Sequence, residues 1–277
     1  MTETLTSFSR DGLVFDVIDQ GPRDGDVVVL LHGWPQLNTC WNEVSGQLNA
    51  SGYRTIAPNQ RGFAMGARPK RRYAYRMSQL VADIAALIDE IGQPVHLVGH
   101  DWGSAIAWAT AMEHPDKVRT LSAISVPHPA AFLKAMPRGQ IKDSWYMAAF
   151  NLPGLPERIL SDPKRAKMAL KVKAKMPAEA FEAYLRDFAA EPGRMRTCFG
   201  YYRALPFSNL RSLRKVAVPT TYIWSDDDVA LSRVGADLCG DYVTANYRFE
   251  IIEGASHWLP DEEPKEVARL IEERIRA

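Results

Sequence analysis

The chain has 277 residues, 46% of them hydrophobic and 24% charged, with a formal net charge of +1. A chain of this length buries enough surface to fold without disulfides or a structural metal, and its near-neutral charge argues against nucleic acid or an anionic membrane as the main partner. The three cysteines are scattered, have no metal-ligand spacing and favour a reducing compartment: Cys40, Cys198 and Cys239.

The amino-terminal residues have no basic segment followed by an apolar run, so we expect no signal peptide. We also expect no membrane span, because no stretch of the sequence is apolar over the roughly 18 residues that a span needs. Together these features predict a cytoplasmic protein.

Short apolar runs alternate with helical patterns, which predicts an α/β fold with a mostly parallel sheet flanked by helices. The aliphatic run 27–31 predicts a central strand buried on both faces and ending at His32-Gly33. A helix follows, with its apolar face between Leu80 and Ile91; Ser78 is the expected N-cap and Gly92 the expected stop.

Four further strands and two helices are predicted along the rest of the chain. A helix is expected from about Ser104, and the last one begins near Pro264, because proline suits the first helical turn. The strands are predicted at residues 95–99, 118–124, 220–224 and 247–252.

Between residues 128 and 215 the strand-like runs disappear, and the chain becomes helical and rich in Met, Lys, Arg and aromatic residues. Its apolar residues are too plentiful for a disordered insert. We therefore predict a helical cap at 128–215, inserted into a core formed by 1–127 and 216–277.

The segment Gly99-His100-Asp101-Trp102-Gly103 lies between a predicted buried strand and a predicted helix. This is the form of a nucleophile elbow, G-x-Nu-x-G, with Asp101 in the position that serine usually holds. Glycines on both sides allow the strand and helix to approach closely around a sharp turn. The alternative, that Asp101 only caps the helix, does not explain the paired glycines.

Three motifs together resemble the epoxide hydrolase branch of the α/β-hydrolase fold, over essentially the whole chain. They are His32-Gly33-Trp34-Pro35, the elbow at 99–103, and Gly254-Ala255-Ser256-His257-Trp258. The resemblance implies that Asp101 attacks an epoxide carbon and that water then hydrolyses the resulting alkyl–enzyme ester to a vicinal diol. A carboxylate suits this chemistry, because a serine attacking saturated carbon would leave an ether that the enzyme could not readily cleave.

The base that activates water is expected to be His257, which follows the last predicted strand, where this fold has its catalytic histidine. A carboxylate must orient that base and stabilise its cation. Residues 226–228 are all aspartates. The family pattern favours Asp228, three residues after the small residue Ser225, although the family usually has glycine there.

The backbone N–H groups of Trp34 and Trp102 are the expected oxyanion donors, and both side chains are expected to line the substrate pocket. The resemblance further implies two cap tyrosines that donate hydrogen bonds to the epoxide oxygen. Tyr146 matches the first. Tyr202 matches the second, with Tyr201 as its competitor.

The main alternative function is haloalkane or haloacid dehalogenation, which uses the same aspartate nucleophile. In haloalkane dehalogenases of this type, the loop that resembles H-G-x-P has Asn or Glu at its variable position, where this chain has Trp34. Those enzymes also lack the tyrosine pair. In fluoroacetate dehalogenases the elbow resembles G-H-D-R-G, with an arginine where this chain has Trp102. A non-catalytic receptor is disfavoured because a full set of nucleophile, base and acid is retained.

The predicted substrate is a small, mainly apolar epoxide, with no cofactor, no catalytic metal and no nucleic-acid partner. The oligomeric state is left as monomer or homodimer. Two basic runs, at residues 68–76 and 164–175, are interpreted as solvated side chains, because the whole chain is nearly neutral.

Overall fold

The structure is a computed structural model and describes residues 4–208 and 213–277. Its sheet has eight strands in the order β1-β2-β4-β3-β5-β6-β7-β8. The first two pairings, β1 with β2 and β2 with β4, are antiparallel, and the remaining ones are parallel. The strands are β1 Ser7–Arg10, β2 Leu13–Gln20, β3 Val27–Leu31, β4 Arg54–Pro58, β5 Val95–His100, β6 Val118–Ile124, β7 Thr220–Ser225 and β8 Tyr247–Ile252.

Helices cover both faces of the sheet and fill the connection between β6 and β7. The α-helices are α1 Asn42–Ala50, α2 Met77–Ile91, α3 Trp102–Glu113, α4 Pro129–Ala135, α5 Gln140–Asp143, α6 Trp145–Phe150, α7 Leu155–Leu160, α8 Pro163–Ala166, α9 Ala178–Ala183, α10 Arg194–Cys198, α11 Gly200–Ala204, α12 Arg233–Asp237, α13 Leu259–Glu262 and α14 Pro264–Arg276. Two π-helical stretches extend α8 and α9, at Lys167–Lys173 and Tyr184–Ala189. In the described ranges, none of the helices combines the length and apolarity that crossing a membrane requires.

The predicted α/β-hydrolase architecture is confirmed, and the aliphatic runs form its central strands. Every residue of β3, β4, β5 and β7 is buried, as expected for strands covered on both faces. Strand β4 was not predicted, because Arg54–Pro58 is not a run of aliphatic residues. The amino-terminal hairpin β1–β2 was not predicted either, because its strands mix charged and apolar residues. It adds two antiparallel strands at one edge of the sheet.

Two predicted helix starts are wrong by two residues each. Helix α2 has Arg76 as its N-cap residue and begins at Met77, so Ser78 lies inside the first turn. Helix α3 begins at Trp102 rather than near Ser104, because the turn at Asp101 leads directly into the helix. The predicted stop at Gly92 is correct, and this residue has the left-handed conformation, with φ of 80°.

Residues 129–207, here called the helical segment, are helical from α4 to α11 and lie between β6 and β7. In the described part of 128–215 the structure contains no strand. Side-chain to backbone hydrogen bonds join the segment to loops beside the sheet: Thr197 Oγ1 donates to the Gly62 carbonyl at 2.7 Å, and Trp258 Nε1 donates to the Ala174 carbonyl at 2.7 Å. The cap boundaries at 128 and 215 stay a prediction.

Candidate active site

Asp101 stands on a strained turn between β5 and α3. Its backbone has φ of 52° and ψ of −120°, which is a costly conformation for a residue with a side chain. The flanking glycines are required by space: a Cβ on Gly99 would collide with the Gly103 carbonyl, and one on Gly103 with the carbonyl of Leu31. The elbow therefore has the close strand–helix approach that its sequence predicts.

The two carboxylate oxygens of Asp101 have different surroundings. Oδ1 accepts a hydrogen bond of 2.7 Å from the backbone N–H of Trp34. Oδ2 lies 3.6 Å from Nε2 of His257. Gly33 makes this arrangement possible, because a Cβ there would overlap the Asp101 side chain. One oxygen is thus held by the loop after β3, and the other faces the histidine.

His257 is oriented by Asp228, which follows β7. His257 Nδ1 donates to Asp228 Oδ2 at 2.8 Å. The other oxygen, Oδ1, accepts from the N–H groups of Ala230 at 2.7 Å and Leu231 at 3.1 Å, and the side chain is fully buried. Both oxygens of this buried carboxylate therefore have hydrogen-bond donors, which fixes its position.

The neighbouring aspartates have other contacts. Asp226 accepts a hydrogen bond of 2.7 Å from the Gly254 amide. Asp227 forms an ion pair with Lys175. Of the three candidates that the sequence left open, the structure therefore brings only Asp228 to His257.

The charges around His257 favour its cationic form. Burial alone would lower the pKa of His257, but the carboxylates of Asp228 and Asp101 outweigh it and raise the pKa to about 10. Burial raises the pKa of Asp101, and the contacts with His257, His100 and the Trp34 amide outweigh it, so that the pKa lies below its usual value. Both shifts favour an Asp101 anion beside a His257 cation in the resting protein.

Two histidines of the motifs brace the surrounding loops. His32 Nδ1 donates to the Gly33 carbonyl at 3.1 Å, and its Nε2 accepts from the Gln60 amide at 3.2 Å. His100 Nε2 donates to the carbonyl of His257 at 2.8 Å. Burial lowers the pKa of both His32 and His100 to about 4, so both are neutral and serve as fixed hydrogen-bonding groups.

Asp101 and His257 lie at one wall of a cavity of about 650 Å³. Its lining is mainly apolar and comes from both the sheet loops and the helical segment. Of the residues predicted to line the substrate pocket, Trp34, Tyr146 and Tyr202 line this cavity. The Trp102 side chain does not line it and packs against the rings of Tyr201 and Tyr202. The Tyr146 and Tyr202 rings lie edge to face, with centroids 6.3 Å apart.

The structure also separates Tyr202 from its competitor. The Tyr202 ring is edge to face with Trp102, with centroids 5.1 Å apart, and burial raises the pKa of its phenol well above the usual value, so the hydroxyl keeps its proton. Tyr201 does not line the main cavity and packs against Phe63 and Tyr75. Consecutive helical residues point in different directions, which is why only one of the two reaches the cavity.

Two acidic residues near the site were missed at the sequence level. The one-turn helix α13 supplies Glu262, whose carboxylate accepts from the N–H of Ser256 at 2.7 Å and from its hydroxyl at 2.8 Å. The preceding Asp261 accepts from Gln36 Nε2 at 2.9 Å. These carboxylates hold the loops that carry His257 and Trp34. Their closeness to His257 in the sequence was visible, but no spacing rule indicated their partners.

Across residues 4–208 and 213–277, no cluster of three or more His, Cys, Asp or Glu side chains is arranged to hold a metal ion. The cysteines are unpaired, and Cys198 and Cys239 are buried. Burial raises the pKa of both thiols above the usual value, so they remain protonated packing residues.

Comparison with known proteins agrees with this geometry. Residues 28–270 match the Alpha/beta hydrolase family, and the chain belongs to that family. Epoxide hydrolase 3 of Xenopus tropicalis is 33% identical over 96% of this chain and 75% of its own length. The AB hydrolase superfamily protein YfhM of Bacillus subtilis (strain 168) is 32% identical over 97% of this chain and 96% of its own.

A solved structure of the Bacillus megaterium epoxide hydrolase in complex with an inhibitor superposes with a TM-score of 0.85. The two proteins are 25% identical, and the match covers 98% of this chain and 100% of that chain. Within the α/β-hydrolase family, the chain therefore belongs to the epoxide hydrolase branch.

Proposed function

We propose that the protein hydrolyses an apolar epoxide to a vicinal diol through a covalent ester on Asp101. The observation that carries the proposal is the pair of inequivalent oxygens on this carboxylate. Oδ1 accepts a hydrogen bond from a backbone N–H, whereas Oδ2 faces His257. Asp101 also lines the cavity. The relationship to proteins named epoxide hydrolases supports the same reaction.

In the first step, Oδ2 of Asp101 attacks one ring carbon of the epoxide, and the bond from that carbon to the ring oxygen breaks. The oxygen takes a proton from Tyr146 or Tyr202, which both line the cavity. Burial raises the pKa of both phenols above the usual value, so each has a proton to give. The product is a hydroxyalkyl ester of Asp101. Two phenols suit this role because they provide donors within an otherwise apolar wall.

Alkylation also prepares the second step. The ester has no negative charge, so one of the two carboxylates that raise the pKa of His257 is lost. His257 can then release its Nε2 proton to the tyrosinate and become a base, still oriented by Asp228. The resting ion pair is thereby converted into a neutral imidazole after the nucleophile has reacted.

In the second step, His257 Nε2 removes a proton from water, and the hydroxide attacks the carbonyl carbon of the ester. Negative charge develops on Oδ1, where the Trp34 N–H already donates and the Trp102 N–H is the proposed second donor. The intermediate collapses as the bond from the carbonyl carbon to Oδ2 breaks, and the diol oxygen takes the proton from His257. The second proton of the water, now on the Asp101 carboxyl, passes to the neutral His257, which restores the resting pair with one oxygen from water in the carboxylate.

Exchange of His257 for glutamine tests the proposal. His257→Gln removes the base but leaves the nucleophile, so the ester should accumulate on Asp101 when the variant is mixed with styrene oxide. Denaturing mass spectrometry should show one added epoxide per chain, located on the Asp101 peptide, while wild type yields diol. Multiple turnover by the variant at the wild-type rate would contradict the assignment.

Haloalkane dehalogenation is the second candidate, and one observation favours it. The indole Nε1–H of Trp34 is buried without a hydrogen-bond partner among the described residues, and Trp34 lines the cavity. An unpaired N–H is a suitable donor to a departing halide. A halide-release assay on chloro- and bromoalkanes, run beside the diol assay, separates the two reactions.

A further inference from the structure

Several exposed apolar side chains of the helical segment lie in the cavity lining or close to it in the chain. Trp145, Leu155 and Met168 all line it, yet they are 62%, 50% and 55% exposed. They come from α6, α7 and the π-helical extension of α8, which follow one another and are in contact. Leu152 and Val172, from the same stretch of chain, are 50% and 57% exposed. Such a concentration of exposed apolar residues is typical of a contact surface. We call these five residues the rim.

Cations accompany the rim. Residues 163–175 include six lysines and arginines and no Asp or Glu. Lys175 is paired with Asp227, but within the described ranges the other five have no ion-pair partner: Lys164, Arg165, Lys167, Lys171 and Lys173. The helix is anchored inward by the buried residues Ala166 and Leu170. Its outward face therefore presents lysines beside Met168 and Val172.

We propose that the rim and its cations bind the surface of an anionic phospholipid bilayer. Lysines near the surface are attracted to anionic headgroups, and apolar side chains beside them enter the boundary between headgroups and acyl chains. Tryptophan is favoured at that depth, which suits the exposed Trp145. A lipid surface offers partners for both the apolar rim and its cations. A second copy of this chain would instead bring the unpaired cations together.

Docking in this orientation turns the mouth of the apolar cavity toward the acyl region. An apolar epoxide would then reach Asp101 from the bilayer, where it is concentrated, without crossing water. This consequence rests on the proposed function, whereas the docking does not.

Vesicle co-sedimentation of the full chain tests the docking, with no epoxide present. Wild type should sediment with phosphatidylserine-containing vesicles at low salt, and not with pure phosphatidylcholine vesicles. In Lys164→Gln/Lys167→Gln/Lys171→Gln, none of the altered residues lines the cavity. Because each cation near the surface contributes about fivefold, this variant should bind about 100-fold more weakly.

Two control variants make the test specific. Lys70→Gln/Arg71→Gln/Lys265→Gln removes the same charge outside the helical segment and should retain most of the binding. Leu152→Ser/Val172→Ser should weaken binding, while Met65→Ser, at a 67% exposed residue outside the segment, should not. Diol formation from a water-soluble epoxide should be unaffected in each of these variants.

Three results would overturn the docking proposal. The first is wild type that does not sediment with anionic vesicles. The second is equal loss of binding in the two charge variants, which would indicate a general charge effect. The third is a dimer in sedimentation velocity that Leu152→Ser/Val172→Ser dissociates, because the rim would then be an interface between copies. Wild type that binds anionic vesicles but forms no diol from any epoxide would instead count against the proposed function, and not against the docking.

Discussion

The sheet loops and the helical segment contribute to the same cavity by different means. Asp101, Asp228 and His257 follow β5, β7 and β8, and their polar atoms are held by backbone N–H groups and by one another. Tyr146 and Tyr202 come from short helices and are held mainly by ring contacts, for example with Phe150. Directed hydrogen bonds fix the candidate catalytic groups after the strands, whereas ring packing positions the two tyrosines.

This difference suggests a division of function. The sheet side contains the groups that any ester-forming reaction at Asp101 requires, so changes there should remove chemistry altogether. The helical side contributes the two tyrosines that we propose as proton donors and most of the apolar wall, so changes there should alter the rate of ring opening and the choice of substrate.

The largest expected effect is that of Asp101→Asn, which keeps the shape of the side chain and removes the nucleophile. Turnover should fall by at least about 10⁴-fold, as for the loss of nucleophiles elsewhere. The pKa of His257 should also fall below about 10, because one of its two carboxylate neighbours is gone. Steady-state diol assays and an NMR titration of the imidazole measure the two effects.

Asp227→Asn is the matched control for that change. It makes the same chemical exchange at an exposed residue that pairs with Lys175, and it should retain turnover. If Asp101→Asn still formed diol, with its fold intact by circular dichroism, Asp101 would not be the nucleophile.

The next effect is that of the tyrosine pair. Tyr146→Phe/Tyr202→Phe keeps both rings and removes both proposed proton donors, so single-turnover alkylation should slow by about 10²–10⁴-fold. Tyr201→Phe should leave this rate unchanged, because Tyr201 is absent from the cavity wall. Rapid-quench mass spectrometry follows ester formation directly; equal rates in all three proteins would refute a role for the helical side in ring opening.

The smallest effect is one of stability and follows from the raised pKa of His257. The unfolded imidazole has its ordinary pKa of 6.5 and the folded one a pKa of about 10, so folding favours the protonated form. This stabilisation is fully present below pH 6.5 and is lost as the pH rises toward 10, with a limiting slope of about 1.4 kcal/mol per pH unit.

Denaturant unfolding across this pH range measures that slope. In His257→Gln the decline in the free energy of unfolding between neutral and alkaline pH should be smaller than in wild type. Parallel pH profiles for the two proteins would mean that the carboxylates do not hold a proton on His257.

The sheet side was also the more predictable from sequence. The elbow at Asp101 and the loop at Trp34 are local motifs whose glycines are required by close contacts. Their residue types therefore indicate the local geometry directly. Strands β3, β5, β6, β7 and β8 were predicted from short apolar runs, whereas β4 was missed because Arg54–Pro58 is not such a run. The β1–β2 hairpin has no such pattern and was missed.

What the sequence left open depends on contacts between distant residues. Choosing Asp228 among three aspartates required knowing that Asp226 contacts Gly254 and that Asp227 contacts Lys175. Choosing Tyr202 over Tyr201 required the direction of each side chain from α11. The cations beside the rim could not be recognised from composition, because a net charge of +1 does not reveal a local run of unpaired cations.

The covalent ester on Asp101 is tested most directly by a single turnover in heavy-oxygen water, with wild-type enzyme in excess over epoxide. Because water attacks the carbonyl carbon of the ester, the heavy oxygen should enter the Asp101 carboxylate, and the diol of the first turnover should be unlabelled. Mass spectrometry of the Asp101 peptide and of the diol locates the label. Heavy oxygen in the diol with an unlabelled Asp101 would mean that water attacks the epoxide directly, and would contradict the nucleophilic role of Asp101.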